Sequence, residues 1–126
     1  MRSKFLSTLA LTATLAASPA ALDAAPDQTL GMAIMSASVD DGCVLTRGAG
    51  ATGATPNATG ICNVAFDRDV TACTYAGMIG NPGLSVSPAG EIAANPSGPT
   101  TVSVRTRDSS GTLTDLPFHL IVFCAR

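Results

Sequence analysis

From Pro19 onward, glycine and proline divide this chain into short segments. The sequence has 12 glycines and 8 prolines, and many of them stand in turn-forming groups such as residues 80–83 (GNPG) and 95–99 (NPSGP). No stretch of about twelve residues combines a helical apolar period with capping residues. The segments between the turns are short, and the clearest of them alternate apolar and polar residues. The sequence therefore predicts an all-β protein.

Two segments near the C-terminus carry the clearest strand patterns. Thr101–Arg107 (TVSVRTR) alternates, so Val102 and Val104 are expected to face the core. Phe118–Cys124 (FHLIVFC) is apolar on both faces, which is typical of a central strand or of one covered by another layer. We interpret residues 101–124 as a central hairpin that holds the fold.

Shorter segments between turn signals are expected to form the remaining strands. Residues 48–60 (GAGATGATPNATG) have no periodicity that could bury a face, so we interpret them as a loop. About six to eight short strands separated by such turns predict a small antiparallel β-sandwich or barrel that follows an N-terminal signal helix. The other expected strands are Met32–Val39, Cys43–Arg47, Ile61–Phe66, Ala72–Ile79, Leu84–Ser87 and Glu91–Ala93.

The N-terminus has the pattern of a secretory signal peptide. A basic start precedes an apolar stretch of thirteen residues, Phe5–Ala17, and small residues follow. That stretch is shorter than the roughly 20 residues that a membrane-spanning helix needs. We therefore expect cleavage after Ala20 and no membrane insertion of the product.

Cleavage there divides the chain into three parts. We expect a signal peptide at residues 1–20, a flexible leader at residues 21–30 and a single β-domain at residues 31–126. The product is expected to be secreted, either to the periplasm or to the exterior of a bacterial cell.

Composition excludes several classes of partner. Cleavage removes 20 of the 126 residues and leaves 106, with five arginines, nine carboxylates and no lysine, a net charge of −4. Such a chain lacks the basic footprint of a nucleic-acid-binding protein and the polybasic cluster that binds anionic membranes. The 46% apolar and 13% charged residues argue against disorder. A core without tryptophan is small, and exported proteins commonly strengthen such cores with disulfides.

The four cysteines are expected to form two disulfides. Their spacing contains no Cys-x-x-Cys pattern, so no metal site or cofactor is predicted. A tight hairpin joining the strands that contain Cys62 and Cys73 would set Val64 opposite Cys73, which leaves the two cysteines offset. That register favours the pairs Cys43–Cys62 and Cys73–Cys124.

His119 is the one histidine of the chain and therefore the one candidate for a histidine general base. The nearest approach to a nucleophile elbow, residues 83–87 (GLSVS), lacks its closing glycine. His119 also lies inside an apolar strand, where a structural histidine with a local partner is far commoner than a catalytic one. A non-enzymatic protein is favoured, and no catalytic residue is predicted. The alternative is a small exported hydrolase or ligand-binding protein that uses His119 and a carboxylate.

Two pairs of acidic residues are candidates for a catalytic or calcium-binding site. Paired carboxylates such as Asp40 with Asp41, or Asp67 with Asp69, can hydrolyse glycosides or bind calcium. Neither pair has the further oxygen ligands of a calcium loop, and turns use aspartate to bond the backbone. Calcium at Asp67 and Asp69 stays open as an alternative.

A likeness to known sequences spans roughly residues 40–124. It is carried by residues 66–80 (FDRDVTACTYAGMIG), 90–92 (GEI) and 102–124 (VSVRTRDSSGTLTDLPFHLIVFC), with a weaker match at 45–52 (LTRGAGAT). These stretches resemble a domain at the ends of uncharacterised exported bacterial proteins, notably actinobacterial ones. The resemblance implies that Cys73 and Cys124 belong to the family pattern, whereas Cys43 and Cys62 are an addition in this chain. In some relatives a similar domain follows other exported segments, including collagen-like ones, which implies a head module at the cell surface or matrix. The family has no established activity, so the resemblance implies no functional residue.

These observations favour a secreted, non-enzymatic β-domain with a structural or interaction role at the cell exterior. The expected partner is either a second copy of the chain or a cell-surface protein, and not a nucleic acid. An oligomeric head would present a flat apolar surface. Ile121 and Phe123, on the second face of Phe118–Cys124, are the natural candidates for that surface.

Overall fold

Eight β-strands make up the part of the chain that the structure describes. The computed structural model describes residues 32–125, so the predicted signal peptide (1–20) and leader (21–30) lie outside the described residues. No helix long and apolar enough to cross a membrane occurs in residues 32–125. The strands are β1 (Ala33–Val39), β2 (Leu45–Ala49), β3 (Ala51–Ala58), β4 (Ile61–Phe66), β5 (Thr74–Ile79), β6 (Glu91–Gly98), β7 (Thr101–Arg107) and β8 (Phe118–Cys124).

The strands form two four-stranded sheets in which all neighbours are antiparallel. Sheet A has the order β2-β1-β8-β5, and sheet B has the order β3-β4-β7-β6. Residues from both sheets share one hydrophobic core. The predicted all-β, antiparallel, sandwich-like architecture with two disulfides is confirmed.

The central strands supply most of the core. β8 lies between β1 and β5, so its predicted central position is confirmed. Its alternate residues point inward, as do those of β4 and β7, because successive side chains of a strand point to opposite faces. Full burial of one valine or leucine side chain contributes about 1.5–3 kcal/mol. The fully buried core side chains include Val39, Val64, Val70, Val102, Val104, Phe118, Leu120 and Val122.

Two predicted hairpins are wrong. β4 pairs with β3 and β7 in sheet B, whereas β5 pairs with β8 in sheet A, so no hairpin joins β4 to β5. β7 and β8 also belong to different sheets, so residues 101–124 are not a hairpin but contribute one central strand to each sheet. Facing sheets are about 10 Å apart, and the intervening loops are long enough to cross that gap.

The predicted loop at residues 48–60 is also wrong, because these residues contain the end of β2 and all of β3. Both are edge strands with mostly exposed side chains, so they need no apolar period. Gly50 forms the corner at which the chain passes from sheet A to sheet B. Its φ is 72°, and a Cβ atom there would lie 2.8 Å from Cγ of Met35, so a larger residue would be strained.

The segments after β5 differ from the prediction as well. Residues 84–87 form no strand, and Leu84 and Val86 project into solvent. β6 is longer than the predicted strand and continues through Pro96 to Gly98. It is an edge strand, where the missing N–H of proline costs no ladder hydrogen bond.

The structure contains the disulfides Cys43–Cys62 and Cys73–Cys124, the pairs predicted from the sequence. Cys73–Cys124 lies directly beyond the last paired residues of β5 and β8 and joins two neighbours within sheet A. Cys43, in the turn before β2, is joined to β4 and so links the two sheets. The hairpin register behind the prediction was wrong, since Cys62 and Cys73 lie in different sheets. Two disulfides are typical of an oxidising, extracellular-type environment.

Candidate interaction surface

His119 points away from the core of sheet A. It is half-buried on β8 and stands opposite Ser38 of β1 and Met78 of β5. The Oγ atom of Ser38 lies 2.7 Å from Nδ1 of His119, a hydrogen bond between residues 81 positions apart. No local sequence pattern indicates this contact, because only the register of β1 against β8 brings the two residues together.

The other side of the imidazole ring is covered by main chain. A Cβ atom on the buried Gly80 would lie 2.7 Å from Nε2 of His119, so the ring packs against the backbone that follows β5. Among residues 32–125, Ser38 is the hydrogen-bond partner of His119, and no carboxylate bonds to the ring. The structure therefore places a serine hydroxyl, but no carboxylate, within hydrogen-bonding distance of His119, the candidate base.

Of the four aspartates in the sequence analysis, Asp40 and Asp69 bond to the backbone of turns, whereas Asp41 and Asp67 have no such bond in the described chain. The carboxylate of Asp40 accepts hydrogen bonds from the N–H groups of Gly42 and Val44, at 3.0 and 2.8 Å, and thereby shapes the turn before β2. Asp69 accepts from the N–H of Thr71 at 2.8 Å and from its hydroxyl at 2.6 Å. Within residues 32–125, no three histidine, cysteine, aspartate or glutamate side chains are grouped so as to hold a metal ion.

Hydrogen bonding and burial shift two pKa values in the segment between β4 and β5. The Thr71 hydroxyl, followed by the Thr71 N–H, holds the pKa of Asp69 below its usual value. Burial raises the pKa of Tyr75, and the negative charge of Asp69 raises it further. The Tyr75 hydroxyl donates to the carbonyl of Val70. These contacts secure the crossing between the sheets and do not prepare a reactive group.

A cavity of about 190 Å³ lies at the end of the sandwich where Cys43–Cys62 joins the sheets. Its wall includes Asp40 and Asp115, and the Asp115 carboxylate accepts a hydrogen bond from the Gly60 N–H at 2.5 Å. The cavity is smaller than the roughly 300–1,000 Å³ of a typical small-molecule site. His119 does not line it. The carboxylates of Asp40 and Asp115 thus lie at a different place from the histidine.

The outer face of sheet A is the most unusual surface of the described chain. Its main part consists of the outward residues of β1, β8 and β5, which stand in three cross-strand rows. At the edge of the sheet, Arg47 of β2 continues the row that contains Ser38. Ile34 is 62% exposed and Met78 is 52% exposed, and the predicted candidates Ile121 and Phe123 lie between them, half-buried. None of the nine residues is a carboxylate, lysine or arginine. They are Ile34, Ser36, Ser38, Thr74, Ala76, Met78, His119, Ile121 and Phe123.

The outer face of sheet B has the opposite character. A polar row crosses all four strands, and three charged residues stand on one side of it. The row is not fully satisfied, since Oδ1 of Asn63 is buried and has no hydrogen-bond partner among the described residues. The row is Thr55, Asn63, Ser103 and Asn95, and the charged residues are Arg105, Arg107 and Glu91.

Sequence reasoning found two of the four large apolar residues on the outer face of sheet A. Ile121 and Phe123 could be predicted because β8 is apolar on both faces. Ile34 and Met78 join them only through strand pairing, which local periodicity does not reveal. The resemblance to exported bacterial domains stays a prediction. Comparisons of the chain with protein-family models, with curated proteins and with solved structures found no match.

Proposed function

We propose that this protein is an exported, non-enzymatic β-domain with a structural or interaction role at the cell exterior. The observation that carries the interaction role is the outer face of sheet A, where Ile34, Met78, Ile121 and Phe123 stand together without a charged residue. The largest contiguous apolar patch on a soluble protein is often a site of interaction. A face of this kind is better suited to contact with another protein than to contact with water.

The proposed location is supported by two independent features. Both disulfides require an oxidising compartment to form and persist. The first 20 residues have a basic start, an apolar stretch and small residues before the expected cleavage after Ala20. An exported chain with so small a core benefits from covalent cross-links, because its buried apolar surface alone provides limited stability.

Export and oxidation can be tested together. The full chain, expressed in a bacterium with an intact secretion pathway, should be released with Ala21 as its N-terminal residue. Intact mass should show no reactive thiol, and non-reducing peptide mapping should recover the peptides joined by Cys43–Cys62 and Cys73–Cys124. A full-length product that stays in the cytoplasm with free thiols would refute the proposed location.

One observation favours the alternative of a small exported hydrolase, namely the 2.7 Å contact between Ser38 and His119. A serine nucleophile needs a base and an orienting carboxylate, together with donors that stabilise the developing oxyanion. Here the contact uses Nδ1, Gly80 covers the Nε2 side, and neither atom has a carboxylate partner in the described chain. The pair is therefore better explained as a structural bond that satisfies two polar groups on an apolar face.

Ester hydrolysis by the purified protein tests this alternative. If the pair is catalytic, hydrolysis of p-nitrophenyl acetate above background should fall equally in Ser38→Ala and His119→Ala, as expected for residues that act as a unit. Ser36→Ala is the matched control, since Ser36 lies on the same strand and face, two residues away. We expect no hydrolysis above background in any of the four proteins. A rate lost in the first two variants and kept in the control would establish the hydrolase.

A further inference from the structure

We infer that a second copy of this chain is the partner that covers the outer face of sheet A. The inference rests on the proposed function, because it names the partner for the same surface. It commits to a symmetric contact in which β1, β8 and β5 of one copy pack against the same strands of the other. Packing of two sheet faces at a separation of about 10 Å is a common arrangement in β-proteins.

The distribution of charge is compatible with a second copy and disfavours a charged partner. A symmetric contact brings each surface patch against itself, so a charge near the axis would meet its own kind or be buried without a partner. None of the seven carboxylates within residues 32–125 lies on this face. Arg47, in register with Ser38, stands on edge strand β2 and would lie at the rim of the contact. A face without charges also offers little to select a charged partner, because such partners are chosen by complementary charge.

The polar groups on the face are compatible with burial. Ser38 and His119 bond to each other at 2.7 Å, so each satisfies part of the hydrogen-bonding capacity of the other when water is removed. Met78 stands beside them and Ile121 lies in the next row, which provides apolar contact on two sides. The histidine has no titratable or charged residue directly opposite it on β1 or β5, where its neighbours are Ser38 and Met78.

The size of the face predicts a weak, reversible dimer. Three strands about 4.8 Å apart, with seven residues at a rise of about 3.3 Å, give a face of about 14 by 23 Å, or roughly 330 Å² in projection. Side-chain relief and the rim strand β2 increase the buried area, but it stays below the roughly 800 Å² per partner of a standard interface. We therefore expect dissociation in the micromolar range or above.

Light scattering over a concentration series of the exported, oxidised protein tests the inference. The wild-type protein should change from monomer to dimer as concentration rises, and added NaCl should not weaken the dimer, because no ion pair holds it. Ile34→Asp should raise the dissociation constant by roughly 30-fold or more, because it places an unpaired charge in the contact. Ile34 is 62% exposed, so this substitution leaves the fold intact.

Leu84→Asp is the matched control. Leu84 is even more exposed than Ile34, but it lies in the loop after β5 and outside the outer face of sheet A. If the association were unspecific adhesion of exposed apolar residues, Leu84→Asp would weaken it at least as much as Ile34→Asp. We expect the control to dimerise like the wild-type protein. Equal effects of the two substitutions would overturn the inference.

Spin labels can locate the contact. Ala76 lies on the outer face of sheet A and Ala93 on that of sheet B, and both are exposed alanines on strands. In the inferred dimer, labels on Ala76→Cys lie close together. Labels on Ala93→Cys are separated by four sheet layers, at least about 30 Å. The reverse order of distances would place the contact on sheet B and refute the inference.

The two proposals fail in different ways. A protein that is exported with both disulfides but stays monomeric to the solubility limit refutes the second copy as partner and leaves the exported domain intact. A protein that is retained in the cytoplasm and reduced refutes the proposed location, whatever its oligomeric state. Dimerisation that persists in Ile34→Asp, with distant Ala76 labels, would show that a different surface associates.

Discussion

The two outer faces of the sandwich are built on the same plan of four antiparallel strands, but they suit different surroundings. On sheet B a row of hydroxyl and amide side chains crosses the strands beside a group of charged residues, which is the normal surface of a soluble protein. On sheet A the corresponding positions hold Ile34, Ile121, Phe123 and Met78. The difference shows that both faces of β8 are apolar for different reasons. Its inner face is part of the core, whereas its outer face is part of the surface that we propose contacts a partner.

A contact surface on sheet A requires strands that hold their positions without local unfolding. The Cys73–Cys124 disulfide, which joins β5 to β8, is expected to contribute most to this rigidity. Closing a loop of 51 residues contributes about 4 kcal/mol in the chain-entropy model. Replacing both cysteines by alanine should lower the free energy of unfolding by about that amount and increase hydrogen exchange in β5. Urea unfolding and exchange mass spectrometry give the two readouts.

Removing Cys43–Cys62, which closes 19 residues, is the matched control. The expected loss is about 3 kcal/mol, without the local loosening of β5. If both double variants loosened β5 equally, the outer face of sheet A would not depend on its own disulfide, and the view that Cys73–Cys124 keeps it firm would be wrong.

Adjacent residues of β8 separate folding from association. Leu120 is fully buried, so Leu120→Ala should cost about 2–5 kcal/mol of unfolding free energy. Ile121 is half-buried on the outer face, so Ile121→Ala should cost about 1 kcal/mol in the monomer and weaken the dimer instead. Urea unfolding at low protein concentration measures the first effect, and light scattering measures the second. A large loss of monomer stability in Ile121→Ala would mean that this face also serves the fold.

The sequence predicted the elements whose side chains face the core, because burial imposes a period. The alternation of β4 and β7 and the two-sided pattern of β8 predicted their core faces and the central position of β8. It did not predict β2 and β3, because edge strands of glycine, alanine and threonine bury little and need no period. At residues 84–87 the error is the reverse. A strand was predicted there, but in the described chain these residues pair with no neighbour, and Leu84 and Val86 are exposed.

Local sequence patterns did not predict which strands pair with each other. Sequential strands usually pair, which is why a hairpin was expected between the strands of Cys62 and Cys73. The chain instead crosses to the other sheet at that point, so the two cysteines are even less able to pair than the hairpin register implied. The pairing of β1 with β8 was not predicted either. It brings Ser38 into contact with His119 and places Ile34 opposite Phe123.

The polar face of sheet B contains one imperfect position, and correcting it should stabilise the protein slightly. Asn63 holds its Oδ1 atom in a buried place without a hydrogen-bond partner. Asn63→Thr removes that acceptor and adds a residue with a better strand propensity, so the free energy of unfolding should rise by about 0.5–1 kcal/mol. The exposed Asn95, in the same cross-strand row, is the control, and Asn95→Thr should change stability by less. Urea midpoints measure both, and a loss of stability in Asn63→Thr would show that its amide has a structural role.

The smallest effect is expected at a charged residue in a turn, away from the outer face of sheet A. The Ser110 hydroxyl at 2.6 Å and the Thr112 N–H at 3.0 Å are the chief bonds that lower the pKa of Asp108. A carboxyl whose pKa is lower in the folded chain stabilises the fold above its unfolded pKa of about 3.9, and this contribution is lost as pH falls through the lowered folded value. Asp108→Asn should therefore be less stable than the wild-type protein at pH 7, and the gap should narrow as the pH falls below about 4.

Thermal midpoints across pH measure the difference between Asp108→Asn and the wild-type protein, and light scattering at pH 7 supplies the link to the outer face of sheet A. Because Asp108 lies in the β7–β8 loop, the variant should dimerise with wild-type affinity. A constant stability gap from pH 7 to pH 3 would mean that the carboxylate charge is not what stabilises the turn. Weaker dimerisation would mean that the β7–β8 loop takes part in the contact. The inference that only the outer face of sheet A forms the contact would then be wrong.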